Sequence, residues 1–217
     1  MVIPLILYTY WRSSSAYRVR IGLNLKGIDY EPSFVHLVRE GGEQHKAEYR
    51  RINPQGLVPT LVDGEHVIHQ SLAILEYLDE TRTEPSLLPG SAEDRARIRA
   101  LAMIVASDIQ PVQNLRVLRY LVEKLGQPDE KKVEWIRDWI HGGFKAMEIH
   151  LQDPRTGVFM HGDSPTMADC VLVPQYYNAV RFDVDMKRFP TINRIYAACM
   201  ELDAFVRAAP ENQPDAP

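Results

Sequence analysis

The chain has 217 residues, 45% hydrophobic and 25% charged, with a net charge of −4. That suits one large or two small domains with a proper core and argues against a general nucleic-acid binder. Cys170 and Cys199 fall in separate apolar helical patterns, so buried thiols in a reducing, cytoplasmic setting are expected, with no disulfide framework and no membrane span of roughly 18 apolar residues.

An apolar run from Ile3 to Tyr8 reads as a first buried strand. Residues 14–26 are ambiguous. Val19, Ile21, Leu23 and Leu25 alternate like a strand, yet Val19/Leu23 and Ile21/Leu25 are also i,i+4 pairs. The serines before this stretch and Gly27 after it favour a helix. Residues 29–37 make a second strand. Residues 58–62 and 65–68 flank Asp63-Gly64, a hairpin signal. Ser71 is expected to cap a helix reaching about Thr81, with Leu72, Leu75 and Leu78 on one face. Strand, helix, strand, variable segment, hairpin and helix in that order are the thioredoxin-like α/β plan.

Residues 84–90, with Pro85, Pro89 and Gly90, read as a linker between a domain at 1–83 and an all-α domain at 91–217. Ser91 and Asp94 start a helix that continues through Ile98, Leu101, Val105 and Ile109, and Pro111 is expected to bend or break it. Val133, Ile136, Ile140, Met147 and Leu151 mark a long amphipathic helix. Thr166 and Asp169 have capping-box spacing before a central helix from Met167 to about Ala179. Pro190 opens a last helix, and the tail from Ala209 is expected to fray.

The chemistry concentrates where the first strand meets the first helix. Arg12-Ser13-Ser14-Ser15-Ala16-Tyr17-Arg18 places three hydroxyls and two cations at a helix N-terminus, where exposed N–H groups favour an anion such as a thiolate. Taken alone, a serine triplet is an ordinary turn and cap. A Cys-x-x-Cys is absent here, so dithiol redox chemistry is not expected. The histidines show no metal spacing, and no metal site is expected.

Several segments together resemble one family. They are Arg12 through Ile21, Asn53-Pro54-Gln55-Gly56-Leu57-Val58-Pro59-Thr60-Leu61, His69-Gln70-Ser71, Asp108 through Asn114, Gly162 through Asp169, and Arg181-Phe182-Asp183-Val184-Asp185. The pattern is similar to the zeta class of glutathione transferases, the maleylacetoacetate isomerases, over essentially the whole chain. That class usually carries a cysteine where Ser15 stands here. The resemblance implies the glutathione transferase fold, glutathione as cofactor, a homodimer, and a small dicarboxylate as substrate. Ser13, with Ser14 and Ser15, takes the catalytic thiolate-binding place. Gln44, Val58, Pro59, Gln70, Ser71, Gln110 and Asn114 are implied cofactor-binding residues, with Pro59 cis. Arg12, Arg116 and Arg181 are implied substrate-binding residues, because guanidinium forks suit carboxylates. The implied activity is isomerisation of maleylacetoacetate to fumarylacetoacetate in tyrosine and phenylalanine catabolism. Maleylpyruvate isomerase, a broader transferase acting on haloacids or peroxides, and a non-catalytic binding module are the alternatives.

Overall fold

In the computed structural model, which describes residues 4–217, the chain divides into two units. The first takes in the chain up to Leu87 together with 201–217, and the second is Leu88–Met200. The last seventeen residues, expected with the helical domain, thus belong to the first unit.

The first unit is built on four strands, β1 (Leu5–Thr9), β2 (Tyr30–Phe34), β3 (Thr60–Asp63) and β4 (His66–His69), in the order β2-β1-β3-β4. β1 and β2 are parallel, and the other pairings are antiparallel. Ile3, expected at the start of β1, lies outside the described residues. β1 alternates fully and partly buried residues, as a strand with helices against it must. Pro32 lies in β2 at the sheet edge, where a missing N–H costs no ladder bond. The β3–β4 hairpin pairs Asp63 with His66, so its two-residue loop is Gly64-Glu65, one residue beyond the expected turn.

The ambiguous stretch is a helix, α1 (Ser14–Leu25), followed by Gly27 at φ +62°. Everything from Ala16 to Leu23 in it is buried, including Arg18 and Arg20. α1 has no polar face, which is why its sequence lacks a clean helical period. α2 (Ala47–Ile52) forms in the segment left unassigned by periodicity, and α3 (Ser71–Thr81) follows the hairpin. Leu5, Leu7, Val19, Leu23, Leu61, Ile74 and Leu78 make one core, uniting β1, β3, α1 and α3. Lys26 and Asp79 form a buried ion pair at 2.9 Å. Lys26 Nζ also donates to the Arg82 and Pro85 carbonyls, and Asp79 accepts from Leu87 N–H.

The second unit is helical: α4 (Ala92–Met103), α5 (Leu115–Arg119), α6 (Asp129–His150), α7 (Met167–Arg181) and α8 (Pro190–Met200). Capping boxes start α4 at Ser91/Asp94 and α7 at Thr166/Asp169. Past Met103 the chain widens into a π-helical stretch, Ile104–Ile109, and tightens at Pro111–Gln113. The disruption therefore begins at Ile104, upstream of Ser107, whose carbonyl the Pro111 ring obstructs. No strand follows His69 among the described residues. Nor is any helix there long and apolar enough to cross a membrane.

The tail differs from expectation. A short helix, α9 (Asp203–Ala208), and a turn at Pro210–Asn212 follow α8. Phe205 and Ala208 are buried, and Asn24 Nδ2 donates to Ala204 C=O at 2.9 Å. Gln213 Nε2 braces the segment through the Arg207 and Ala209 carbonyls. Burial and hydrogen bonding, not proline content, decide its order.

Candidate functional site

β1 ends at Thr9, and a turn held by Ser13 N–H on Tyr10 C=O (3.0 Å) delivers the chain into α1. Ser13 is the N-cap residue, with extended backbone, and its Oγ accepts from Ala16 N–H at 3.2 Å. A hydroxyl has a second lone pair and one proton, so capping leaves Ser13 O–H free to donate. Ser14 and Ser15 begin the helix, and no acidic residue occupies its first turn. The α1 N-terminus is therefore a donor-rich place with no acidic neighbour in that turn. Arg12 is partly exposed, its guanidinium 5.1 Å from the Trp11 ring centroid.

One turn into α1, Arg18 reaches the start of α3. Its Nη1 donates to Ser71 Oγ at 3.1 Å, while Nε and Nη2 are buried with no hydrogen-bond partner. Burial pushes the Arg18 guanidinium down to about 10, still charged at neutral pH. α1 and the start of α3 are thus joined through an arginine that the sequence marked only as cationic. Ser71 is the first helical residue, not the cap. Gln70 holds the cap position at φ +69°, without a side-chain capping bond. That left-handed backbone at an exposed glutamine is a strain that functional loops tolerate. Gln70 Nε2 donates to Gln55 Oε1 at 2.8 Å, tying α3 to the loop before β3.

That loop is fixed by side-chain bonds to its own backbone. Asn53, 1% exposed, donates from Nδ2 to Leu57 C=O and Thr60 Oγ1 and accepts from Gln55 N–H. Tyr49 Oη donates to Leu57 C=O at 2.6 Å. Gly56 sits at φ +62°, and a Cβ there would lie 2.9 Å from Gln44 C=O, so the close approach requires glycine. The Val58–Pro59 peptide is cis, and Val58 packs with Tyr10, Val35 and Tyr49. Gln44 is 5% exposed, and its Nε2 donates to Leu37 C=O. Its Oε1 is buried without a hydrogen-bond partner.

Gln110, Asn114, Arg116 and Arg181 belong to the second unit. Gln110 closes the π-helical stretch through N–H on Val105 C=O. Asn114 caps α5, its side chain accepting from Arg116 N–H at 3.2 Å. Arg116 and Arg181 are exposed, and the Arg181 guanidinium stands 4.9 Å from the Phe182 ring centroid at the end of α7. Among the described residues, no group of three or more His, Cys, Asp or Glu side chains is placed to hold a metal ion.

The chain is similar to known proteins over nearly its whole length. Residues 12–81 match the family model of the glutathione S-transferase N-terminal domain. A probable maleylacetoacetate isomerase of Vibrio cholerae is 54% identical, over 99% of this chain and 100% of its own. A maleylpyruvate isomerase solved in its holo form, described as a bacterial zeta-class enzyme, superposes with a TM-score of 0.95 at 48% identity, covering 98% and 100% of the two chains. A maleylacetoacetate isomerase from Anaeromyxobacter dehalogenans 2CP-1, crystallised with dicarboxyethyl glutathione and citrate in its active site, gives 0.87 at 47% identity, covering 99% and 94%.

Proposed function

Since this chain belongs to the zeta class of the glutathione S-transferase family, we propose that it catalyses glutathione-dependent cis–trans isomerisation of maleylacetoacetate to fumarylacetoacetate. The observation that carries the proposal is the Ser13 hydroxyl, held as N-cap at an α1 start without first-turn acids, in a chain 54% identical to a probable maleylacetoacetate isomerase.

The residues fit such a cofactor. Glutathione carries a thiol and two carboxylates. The first unit offers a donor-rich helix start, and at α3 an arginine with two unmatched N–H groups behind Ser71. When bound, glutathione supplies a thiolate that adds to the cis double bond, allows rotation and departs, so it is not consumed. Ser13 O–H donates to the sulfur and holds it ionised, assisted by Ser14, Ser15 and the α1 N–H groups. Ser71 O–H and the α3 N-terminus take the γ-glutamyl carboxylate. The Val58-Pro59 and Gln70 main chains align the tripeptide. Arg12, Arg116 and Arg181 bring positive charge for the substrate carboxylates, and Gln110 is assigned to cofactor orientation.

The deciding experiment follows isomerase turnover with and without glutathione, for wild type and Arg181→Ala. Turnover should require glutathione. Arg181→Ala should lower use of maleylacetoacetate about ten- to a hundredfold, the worth of one charge-assisted pair, and leave calorimetric glutathione affinity nearly unchanged. Absence of glutathione dependence refutes the assignment. Maleylpyruvate is the second reading, favoured by the close superposition on a maleylpyruvate isomerase. Rates on that acid exceeding those on maleylacetoacetate would select it with the chemistry unchanged. The reading also includes a cytoplasmic homodimer acting in tyrosine and phenylalanine breakdown. Its support is the family resemblance, and light scattering giving the 24.9 kDa monomer mass would count against the dimer.

A further inference from the structure

The peptide linking Tyr10 to Trp11 is held at both ends by groups from outside the turn. Its carbonyl accepts from Arg20 Nη1 (3.3 Å) and from Ser13 N–H (3.0 Å). Its N–H donates to Asp215 Oδ2 at 2.9 Å, across 204 residues of sequence. The next carbonyl, of Trp11, accepts from Arg20 Nη2 at 3.0 Å. Arg20 is fully buried; its Nη1 also meets Thr9 Oγ1, and its Nε donates to Ala208 C=O at 3.0 Å. Asp215 lies close enough to Arg20 to stabilise its charge, and its second oxygen, Oδ1, is buried without a hydrogen-bond partner. One arginine and one carboxylate thus join the 208–215 segment to the turn that presents Ser13.

We propose that Asp215, together with Arg20, is a positioning residue for Ser13: the C-terminal segment clasps the Tyr10–Ser13 turn and thereby sets the geometry of the hydroxyl toward the sulfur. Neither side chain needs to touch substrate. A backbone N–H that donates to a carboxylate makes a charge-assisted bond, stronger than a neutral one. Losing it frees the Tyr10–Trp11 peptide to rotate, and Ser13 hangs on that peptide's carbonyl. Displacements of about 1 Å at a reacting group are costly even when the cause is remote.

This inference rests on the proposed role of Ser13. The test compares full-length wild type, Ser13→Ala, Asp215→Ala and Asp215→Asn, at a temperature where circular dichroism shows all four folded. Turnover, KM for glutathione and the pKa of the bound thiol, read from thiolate ultraviolet absorbance, are measured together. Asp215→Ala should lower kcat roughly tenfold and raise the bound-thiol pKa, with KM changed less than about twofold. Asp215→Asn keeps an acceptor for Trp11 N–H and should restore most of the activity. Wild-type kcat and thiol pKa in Asp215→Ala overturn the proposal. So does a loss of activity without a thiol pKa shift, or an Asp215→Asn variant as impaired as Asp215→Ala. If Ser13→Ala itself has no effect, the functional reading of Ser13 has failed; if only Ser13→Ala has an effect, the clasp alone has failed.

Discussion

Replacing Ser13 with alanine separates two uses of one oxygen. As N-cap, Oγ accepts from Ala16 N–H at 3.2 Å, the long end of the hydrogen-bond range. Losing that cap costs about 1 kcal/mol of stability, which for a chain of this size lowers the melting temperature by roughly 2–4 °C. As thiolate donor, the same hydroxyl acts on the charge that develops and disappears during the reaction. Removing one such donor costs on the order of 10²-fold in turnover, about 2.7 kcal/mol. An ordinary cap thus predicts a small stability loss with normal turnover, whereas the proposed role predicts both losses. Initial rates at saturating glutathione, a thermal melt and a titration of the bound thiol distinguish them. Ser13→Thr, which retains the hydroxyl, serves as the control and should recover most of the turnover. A Ser13→Ala protein that melts a few degrees lower yet turns over like wild type would refute the reasoning.

Ser15→Cys should keep activity of the order of wild type, since the family usually carries cysteine there and the α1 N-terminus accommodates a thiol; abolished turnover would make Ser15 an essential hydroxyl. Lys26→Met strips the buried Asp79 carboxylate of its cation, 2.9 Å away, and should cost about 3 kcal/mol, a melting drop of roughly 6–12 °C. A drop below about 2 °C would mean that the Ser86 O–H and Leu87 N–H bonds suffice for the carboxylate. Asp169 is completely buried, and burial pushes its carboxyl up to about 6 against the Met160 and Thr166 donors that favour its charged form. The native value is raised above 3.8, so this group's contribution to stability is fully present below 3.8 and is lost as pH rises through about 6. Relative to Asp169→Asn, wild type should lose about 1.4 kcal/mol per pH unit across that window in urea unfolding. A pH-independent difference refutes the shift.

Features whose partners lie a few residues apart were legible without the structure. The Thr166/Asp169 capping box, the stop at Gly27 and the hairpin near Gly64 depend on spacings of two to four residues, where side chain and backbone meet whatever the rest of the chain does. The order of strands and helices followed from apolar periodicity, and the serine triplet drew attention to the start of α1 because helix ends have fixed donor chemistry. Two local expectations failed by a residue: Ser71 is not the cap of α3, and the hairpin loop is Gly64-Glu65.

What only the tertiary structure decided involves partners distant in sequence. α1 could not be told from a strand by its pattern, because it is buried all round and its arginines point into the protein. α2 and α9 are six residues each, too short to show a period, and exist through packing. The proline-rich tail reads as disordered from composition. Its order comes from Arg20 on Ala208 C=O and from Asp215 on Trp11 N–H, bonds spanning 188 and 204 residues. Sequence alone determined which local structures were possible and where a helix start leaves its donors unpaired. Folding determined which side chains bond the turn before α1, because a hydrogen bond between distant residues leaves no local spacing to read.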